Sequence, residues 1–219
     1  MKKRTFILII LFSFPTCLFA QFKTDVQPTL KKGNVLITTG VGFPSILRLY
    51  LKKETKQTEY HIEGYGPLIF KLDYVLLKNF SAGLDATYNY TDLYYFDDGQ
   101  DNNNKWSVYR YGAKVKEFSA NLRLNYHFYN KKKWDLYAGA GMGYGAINVE
   151  TYSTAPRPSF YLNYNFPKPL SFESTAGARY FLNKHIGFYS EIGLGRSWVL
   201  YKKYFLPEAV IQGGISIKF

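Results

Sequence analysis

The chain has 219 residues, room for one domain or at most two. Aromatic residues make up 19% of it, with 21 tyrosines and 18 phenylalanines, yet past residue 20 no stretch is long and apolar enough for a helical membrane span. The formal charge of +12 sits on lysines gathered in turns such as Lys131-Lys132-Lys133 rather than on one basic stripe, which argues against a nucleic-acid partner.

The first twenty residues read as a secretory signal. Lys2, Lys3 and Arg4 form a basic start, an apolar run follows from Phe6 to Phe14, and a cut between Ala20 and Gln21 is expected. Ser13, Pro15 and Thr16 interrupt the run too early for a membrane helix. The single cysteine, Cys17, lies inside this signal, preceded by Pro15 and Thr16 where a lipoprotein signal carries small residues. Loss of the signal removes the chain's one thiol and, with Lys2, Lys3 and Arg4, three charges, leaving +9 and no disulfide chemistry. Residues 21–32 are expected to be a periplasmic leader.

Alternation then dominates. The first strand is expected at 33–43 and the second at 66–77. In 80–91 the even positions Phe80, Ala82, Leu84, Ala86, Tyr88 and Tyr90 are apolar or aromatic, and the odd ones are glycine or polar. In 118–128, Phe118, Ala120, Leu122, Leu124, Tyr126 and Phe128 alternate with Ser119, Asn121, Arg123, Asn125 and His127. Successive strand side chains point to opposite faces, so each segment has one oily and one polar face. Further strands are expected at 134–149, 170–182, 186–198 and 208–219. Each is near or above the length that a tilted membrane strand needs.

The connections alternate in length. Lys78-Asn79, 130–133 and 183–185 are tight turns; 44–65, 92–116, 150–169 and 199–207 are long. Short periplasmic turns alternating with longer external loops is the layout of an outer-membrane barrel. The eight prolines after the signal (Pro28, Pro44, Pro67, Pro156, Pro158, Pro167, Pro169 and Pro207) fall in the expected leader, loops or strand ends. The expected fold is all-β: an eight-stranded antiparallel up-and-down transmembrane β-barrel over 33–219, in the outer membrane of a Gram-negative bacterium.

Gly33-Asn34, the glycine-rich strand Ala138-Gly139-Ala140-Gly141-Met142-Gly143-Tyr144-Gly145 and the ending Gly213-Gly214-Ile215-Ser216-Ile217-Lys218-Phe219 resemble the outer-membrane β-barrel family common in Bacteroidota, related in architecture to the OmpA and OmpX barrels. The resemblance implies that Phe219 is an assembly signal read by the barrel-assembly machinery. It also implies contact with outer-membrane lipid and lipopolysaccharide. It implies no particular activity.

A soluble lipocalin-type barrel, with oily residues inward, is the competing architecture. Against it, Tyr88, Tyr90, Tyr126, Tyr144, Phe128 and Trp134 sit near strand ends, as interfacial belts do. On the transmembrane reading the polar face points inward and carries Lys71, Asp73, Asp85, Arg123, Glu173, Arg179 and Glu191. Four acids against three bases, with Lys218 at the periplasmic rim, read as a hydrogen-bonded plug, because a buried unpaired charge costs several kcal/mol. The inward glycines 139, 141, 143 and 145 leave room for long side chains opposite.

The sequence shows no catalytic, cofactor or metal constellation. His61, His127 and His185 lie far apart, His127 and His185 at periplasmic strand ends and His61 alone in the first external loop. The chain is therefore expected not to be an enzyme and to hold no cofactor. External loop one (Lys52, Lys53, Glu54, Lys56) is basic; loop two (Asp92, Tyr94, Tyr95, Phe96, Asp97, Asp98, Asp101, 102–104) is acidic and aromatic. Exposed tyrosines there suit an extracellular protein or glycan, bound through 44–65, 92–116 or 150–169. Clustered Asp and Asn offer oxygen ligands for calcium, but the EF-hand spacing is missing. The leading expectation is a structural or surface-interaction barrel with a side-chain-filled lumen. A narrow pore and a lipid A-modifying enzyme are the alternatives.

Overall fold

The computed structural model of the chain describes residues 29–45, 48–49, 51–52, 60–100, 105–155, 163–199, 202–204 and 209–219. The signal, leader residues 21–28, and Lys53, Glu54, Lys56 and Asp101 to Asn104 lie outside them. No described helix is long and apolar enough to cross a membrane.

The strands are β1 (Val35–Ser45), β2 (His61–Leu77), β3 (Phe80–Gln100), β4 (Trp106–Lys131), β5 (Trp134–Ser153), β6 (Asn163–Phe181), β7 (Ile186–Val199), the short β8 (Lys202–Tyr204) and β9 (Ala209–Lys218). Neighbours in sequence pair antiparallel from β1 to β7. β9 then bonds β7 on one side and β1 on the other, from Leu36↔Lys218 to Ser45↔Ala209. The eight long strands thus form a closed ring, and closure removes every edge within the membrane, where an unpaired backbone group would find no water. β8 folds back on the outer end of β7 alone, within the segment read as a loop.

Parity decides what each face carries. Leu68, Phe70, Leu72 and Tyr74 of β2, Leu84 of β3, Leu122 and Leu124 of β4 and Met142 of β5 are exposed outward; Lys71, Asp73, Asp85 and Arg123 between them are buried inward. An apolar exterior around a charged interior suits a barrel standing in lipid, and it overturns the soluble alternative. Tyr65, Phe118 and Tyr144 mark one end of the oily band, and Phe80, Tyr126, Phe128 and Trp134 the other, all outward.

The strands differ from expectation mainly at the ends away from the tight turns. β3 and β4 run far into the segment expected as loop 92–116, and β2, β5 and β6 also lengthen outward. Outside the membrane both faces meet water, so the two-residue period fades while the hydrogen-bond ladder continues. Four prolines expected outside strand bodies lie within β1, β2 and β6: Pro44 is one residue from the end of β1, and the other three lie at faults in the ladder or near them. The β2–β3 register shifts between Tyr65 and Leu68, around Pro67, and the β5–β6 register shifts beside Pro169. At these irregularities the missing proline N–H costs little.

Candidate functional site

The lumen is filled by the charged residues that parity placed there. The Lys71 ammonium lies 2.5 Å from Glu191 and 3.2 Å from Asp85. Arg123 reaches Asp85 at 3.1 Å, Glu191 at 3.0 Å and Asp73 at 3.7 Å. Arg179 joins Asp73 at 2.6 Å and Asp135 at 3.1 Å, with its guanidinium 4.3 Å from the centre of the Tyr137 ring. Tyr137 donates its hydroxyl to Glu191 at 2.8 Å. Asn125 fastens the same cluster, accepting from Arg123 and donating to Asp73. Side chains from β2 to β7 therefore meet in one network, in which each cation faces at least two carboxylates. Such closure is what makes burying charge tolerable.

Six of the seven expected lumenal charges belong to this network. Glu173 stands beside it: its side chain lines the lumen against Gly141, but Oε1 finds no hydrogen-bond partner among the described residues. The inward glycines provide the expected room. A methyl group added at Gly141 would meet Glu173, and one added at Gly177 would strike the Tyr137 ring. Sequence reasoning missed Asp135, Tyr137, Asn125 and Ser81. Asp135 was within reach, because an outward Trp134 turns its neighbour inward.

The mouth at the end of the tight turns is capped by apolar side chains. Leu30, Leu36, Val75 and Phe181 form a buried cluster. Leu30 arrives on the leader, where Asn130 binds its amide N–H at 2.7 Å and its carbonyl at 2.9 Å. Lys218 donates to the Thr29 carbonyl at 2.7 Å. His127, expected at this end, is buried and turned inward, 2.7 Å from Asp135 and 2.9 Å from Ser81. His185 stays at the exposed rim beside the Lys218 carbonyl. Phe219 is exposed on the outer wall, its carbonyl held by Asn34 Nδ2 and the Val35 N–H.

Beyond the oily band a second cluster covers the outward face of β2 to β5. Arg110 lies 3.5 Å from the centre of the Tyr94 ring and 3.0 Å from Asp92. Tyr152 crosses Gly112 and donates to Asp92 at 2.9 Å; Tyr94 donates to Glu63 at 2.7 Å, and Lys116 meets Glu150 at 2.8 Å. Burial and the bond to Asp92 push the Tyr152 phenol up to about 12. His61 opens β2 rather than lying in a loop, and stacks on Tyr94. Asp92, read as part of an acidic loop, lies in β3 and is held by Arg110 and Tyr152, and no group of three or more His, Cys, Asp or Glu able to hold a metal gathers among the described residues.

No family model and no curated protein matches the chain. Solved structures similar to it include the N-terminal β-barrel domain of Pseudomonas aeruginosa OprF, at 13% identity and TM-score 0.40, covering 87% of this chain and 100% of that one. The attachment invasion locus protein Ail of Yersinia pestis is 9% identical, with TM-score 0.43 and coverage of 86% and 99%. The outer-membrane protease OmpT of Escherichia coli is 10% identical, with TM-score 0.33 and coverage of 86% and 91%. At such scores the likeness adds nothing to what the closed register and the two faces of the wall already establish: a transmembrane β-barrel.

Proposed function

We propose that this chain is an outer-membrane barrel of a Gram-negative bacterium, of the type its glycine-rich strand resembles in Bacteroidota, and that it displays an external hairpin to extracellular protein. The hairpin carries the proposal. β3 and β4 stay paired for ten further residues past Tyr90↔Lys116, as far as Gln100↔Trp106, roughly 33 Å at strand rise. Among the described residues β2 pairs β3 as far as Tyr94, and β5 follows β4 to Tyr111 with one more bond from the Thr154 N–H to the Arg110 carbonyl, so the end is a two-stranded ribbon. On one face of it Phe96, Trp106 and Val108 are 53%, 72% and 65% exposed. Exposed aromatic and branched side chains beside ladder edges that no described strand occupies suit a polypeptide partner, which gains ladder bonds and buries apolar area together.

The lumen serves as ballast in this reading. An eight-stranded barrel is just wide enough for its own side chains, and here the charged network crosses it while Leu30 closes one mouth. Phe219, exposed at the end of the wall strand that closes the ring, serves in this reading as the signal for the barrel-assembly machinery. Lipid and lipopolysaccharide surround the wall.

Peptides selected from a displayed library against the folded barrel should lose retention on the double variant Trp106→Ser, Val108→Ser. Planar bilayers holding the wild-type chain should show no steady conductance. Retention unchanged in the double variant, or selection of glycans alone from an array, would refute the polypeptide partner; stable conductance steps would favour the pore.

A further inference from the structure

At the periplasmic end, where β3, β4 and β5 meet, three buried side chains form an ordered chain of hydrogen bonds. Ser81 Oγ lies 2.9 Å from His127 Nε2, and His127 Nδ1 lies 2.7 Å from Asp135 Oδ1. Asp135 is fixed in turn by Arg179 at 3.1 Å, so the imidazole is held from both sides. A hydroxyl, a base within reach of its proton, and a carboxylate orienting that base are the parts that activate a serine nucleophile. Asn125 Nδ2 sits 3.3 Å from the same hydroxyl, a donor close to where an oxyanion would form.

What lies beside the serine is as informative as the chain of bonds. Ser81 stands opposite Val75, and Val75 packs with Leu36, Phe181 and Leu30. Three of these belong to the barrel wall. Leu30 belongs to the leader and is held largely by the two bonds to Asn130 and by those of its neighbour Thr29 to the β4–β5 turn and Lys218. Leu30 is thus the one member of this cluster, which includes the cross-strand partner of Ser81, that comes from a segment outside the sheet.

We propose that Ser81, His127 and Asp135 form an ester-hydrolysing site facing the periplasm, with Leu30 as a displaceable stopper in its acyl pocket. The substrate class is a carboxylic ester whose acyl chain is about the size of the leucine side chain it replaces. With Leu30 withdrawn, Ser81 Oγ bonds to the ester carbonyl carbon and its proton passes to His127 Nε2. The carbon–oxygen bond to the alcohol breaks, and the alcohol leaves with that proton. Water then attacks the acyl-serine, giving a proton to His127. The carboxylic acid departs and Ser81 takes the proton back, with no change in oxidation state. Asp135 positions the imidazole throughout.

The test uses the full-length chain refolded in detergent, with p-nitrophenyl butyrate as substrate and a fluorophosphonate as active-serine probe. The wild type should turn over slowly and carry the probe on Ser81 after long incubation. Asn130→Ala and, separately, Leu30→Gly should each raise both rates by about tenfold, because each weakens the stopper. Ser81→Ala should abolish both, and His127→Gln should slow hydrolysis by about 10²–10⁴-fold. Asp135→Asn should lower kcat more than it changes KM and displace the pH–rate profile, which a merely structural carboxylate would not do. The proposal is overturned if Ser81 stays unlabelled in the wild type and in every stopper variant that keeps the heat-modifiable mobility of a folded barrel. It is equally overturned if Ser81→Ala lowers heat resistance while hydrolysis remains at the wild-type level.

Discussion

Lys71 on β2 and Glu191 on β7 meet across the lumen at 2.5 Å, although 120 residues separate them in the chain. Neither strand pairs with the other, so this contact braces opposite sides of the ring rather than adjacent strands. Lys71→Ala leaves Glu191 with Arg123 and the Tyr137 hydroxyl but strips Asp85 of one of its two cations. Both carboxylates keep Arg123, so the loss is expected to be about 1–3 kcal/mol. The midpoint of urea unfolding in detergent, followed by gel mobility, measures it. Exchanging the two residues, Lys71→Glu with Glu191→Lys, should recover part of the loss; a double variant as unstable as the sum of both single changes would show that the strut is not a pairwise contact.

Orientation gives the second expectation. Lys132 sits in the tight β4–β5 turn and Val108 on the protruding ribbon, at opposite ends of the same strand pair. A cysteine at Val108 should react with a membrane-impermeant maleimide on intact cells, and one at Lys132 only after the outer membrane is opened. Labelling of Lys132→Cys on intact cells would invert the barrel, and with it the external ribbon and the periplasmic stopper.

How much of this was written in the sequence depends on what each residue's surroundings do to the pattern. Leu84-Asp85 and Leu122-Arg123 read correctly because lipid lies on one side of the wall and a packed polar lumen on the other, which forces strict alternation. Asp92 to Gln100 did not, because both faces of that ribbon meet water and no residue type is forbidden on either. Glu173 was assigned to the network by parity alone; parity fixes the face but not which carboxylate a guanidinium reaches, and Arg123 reaches Glu191, Asp85 and Asp73 instead. The meeting of Ser81, His127 and Asp135 was hidden for a related reason. It needs the register of three strands, and register comes from turn geometry and bulges such as the shift between His127 and Tyr129.

The external cluster should respond to alkaline pH. Tyr152 is kept protonated by burial first and then by its bond to Asp92, up to about 12. An ordinary tyrosine in the unfolded chain ionises near pH 10. Between those values the folded form binds more protons than the unfolded one, so stability is fully present below the lower value and falls as pH rises through the window. Tyrosinate absorbance during an alkaline titration should show a late phase that moves toward the ordinary range in Asp92→Asn. A titration identical in Asp92→Asn and wild type would remove Asp92 as a cause.

The sharpest expectation concerns two adjacent residues. Leu84 is 50% exposed on the outer wall, between Leu72 and Leu122 of the neighbouring strands, whereas Asp85 is buried between Lys71 and Arg123. Leu84→Arg places a guanidinium in lipid, where no acidic side chain stands opposite it, and should cost about 2–4 kcal/mol near the midplane. Asp85→Ala is a different injury. Lys71 keeps Glu191, and Arg123 keeps Glu191 and Asp73, so the loss should be smaller, about 1–3 kcal/mol, from two cations each deprived of one carboxylate. The distinction appears in rescue. Lys71→Met added to Asp85→Ala removes the under-neutralised cation and should restore part of the stability, giving a coupling energy in a double-mutant cycle. The same Lys71→Met added to Leu84→Arg should give simple additivity, because the wall separates the two sites. Both cycles can be read from the heat at which the folded band disappears on a gel and from unfolding midpoints in urea. Additivity in the first cycle with coupling in the second would exchange the two faces of β3, and a barrel with its charges outward does not stand in a membrane.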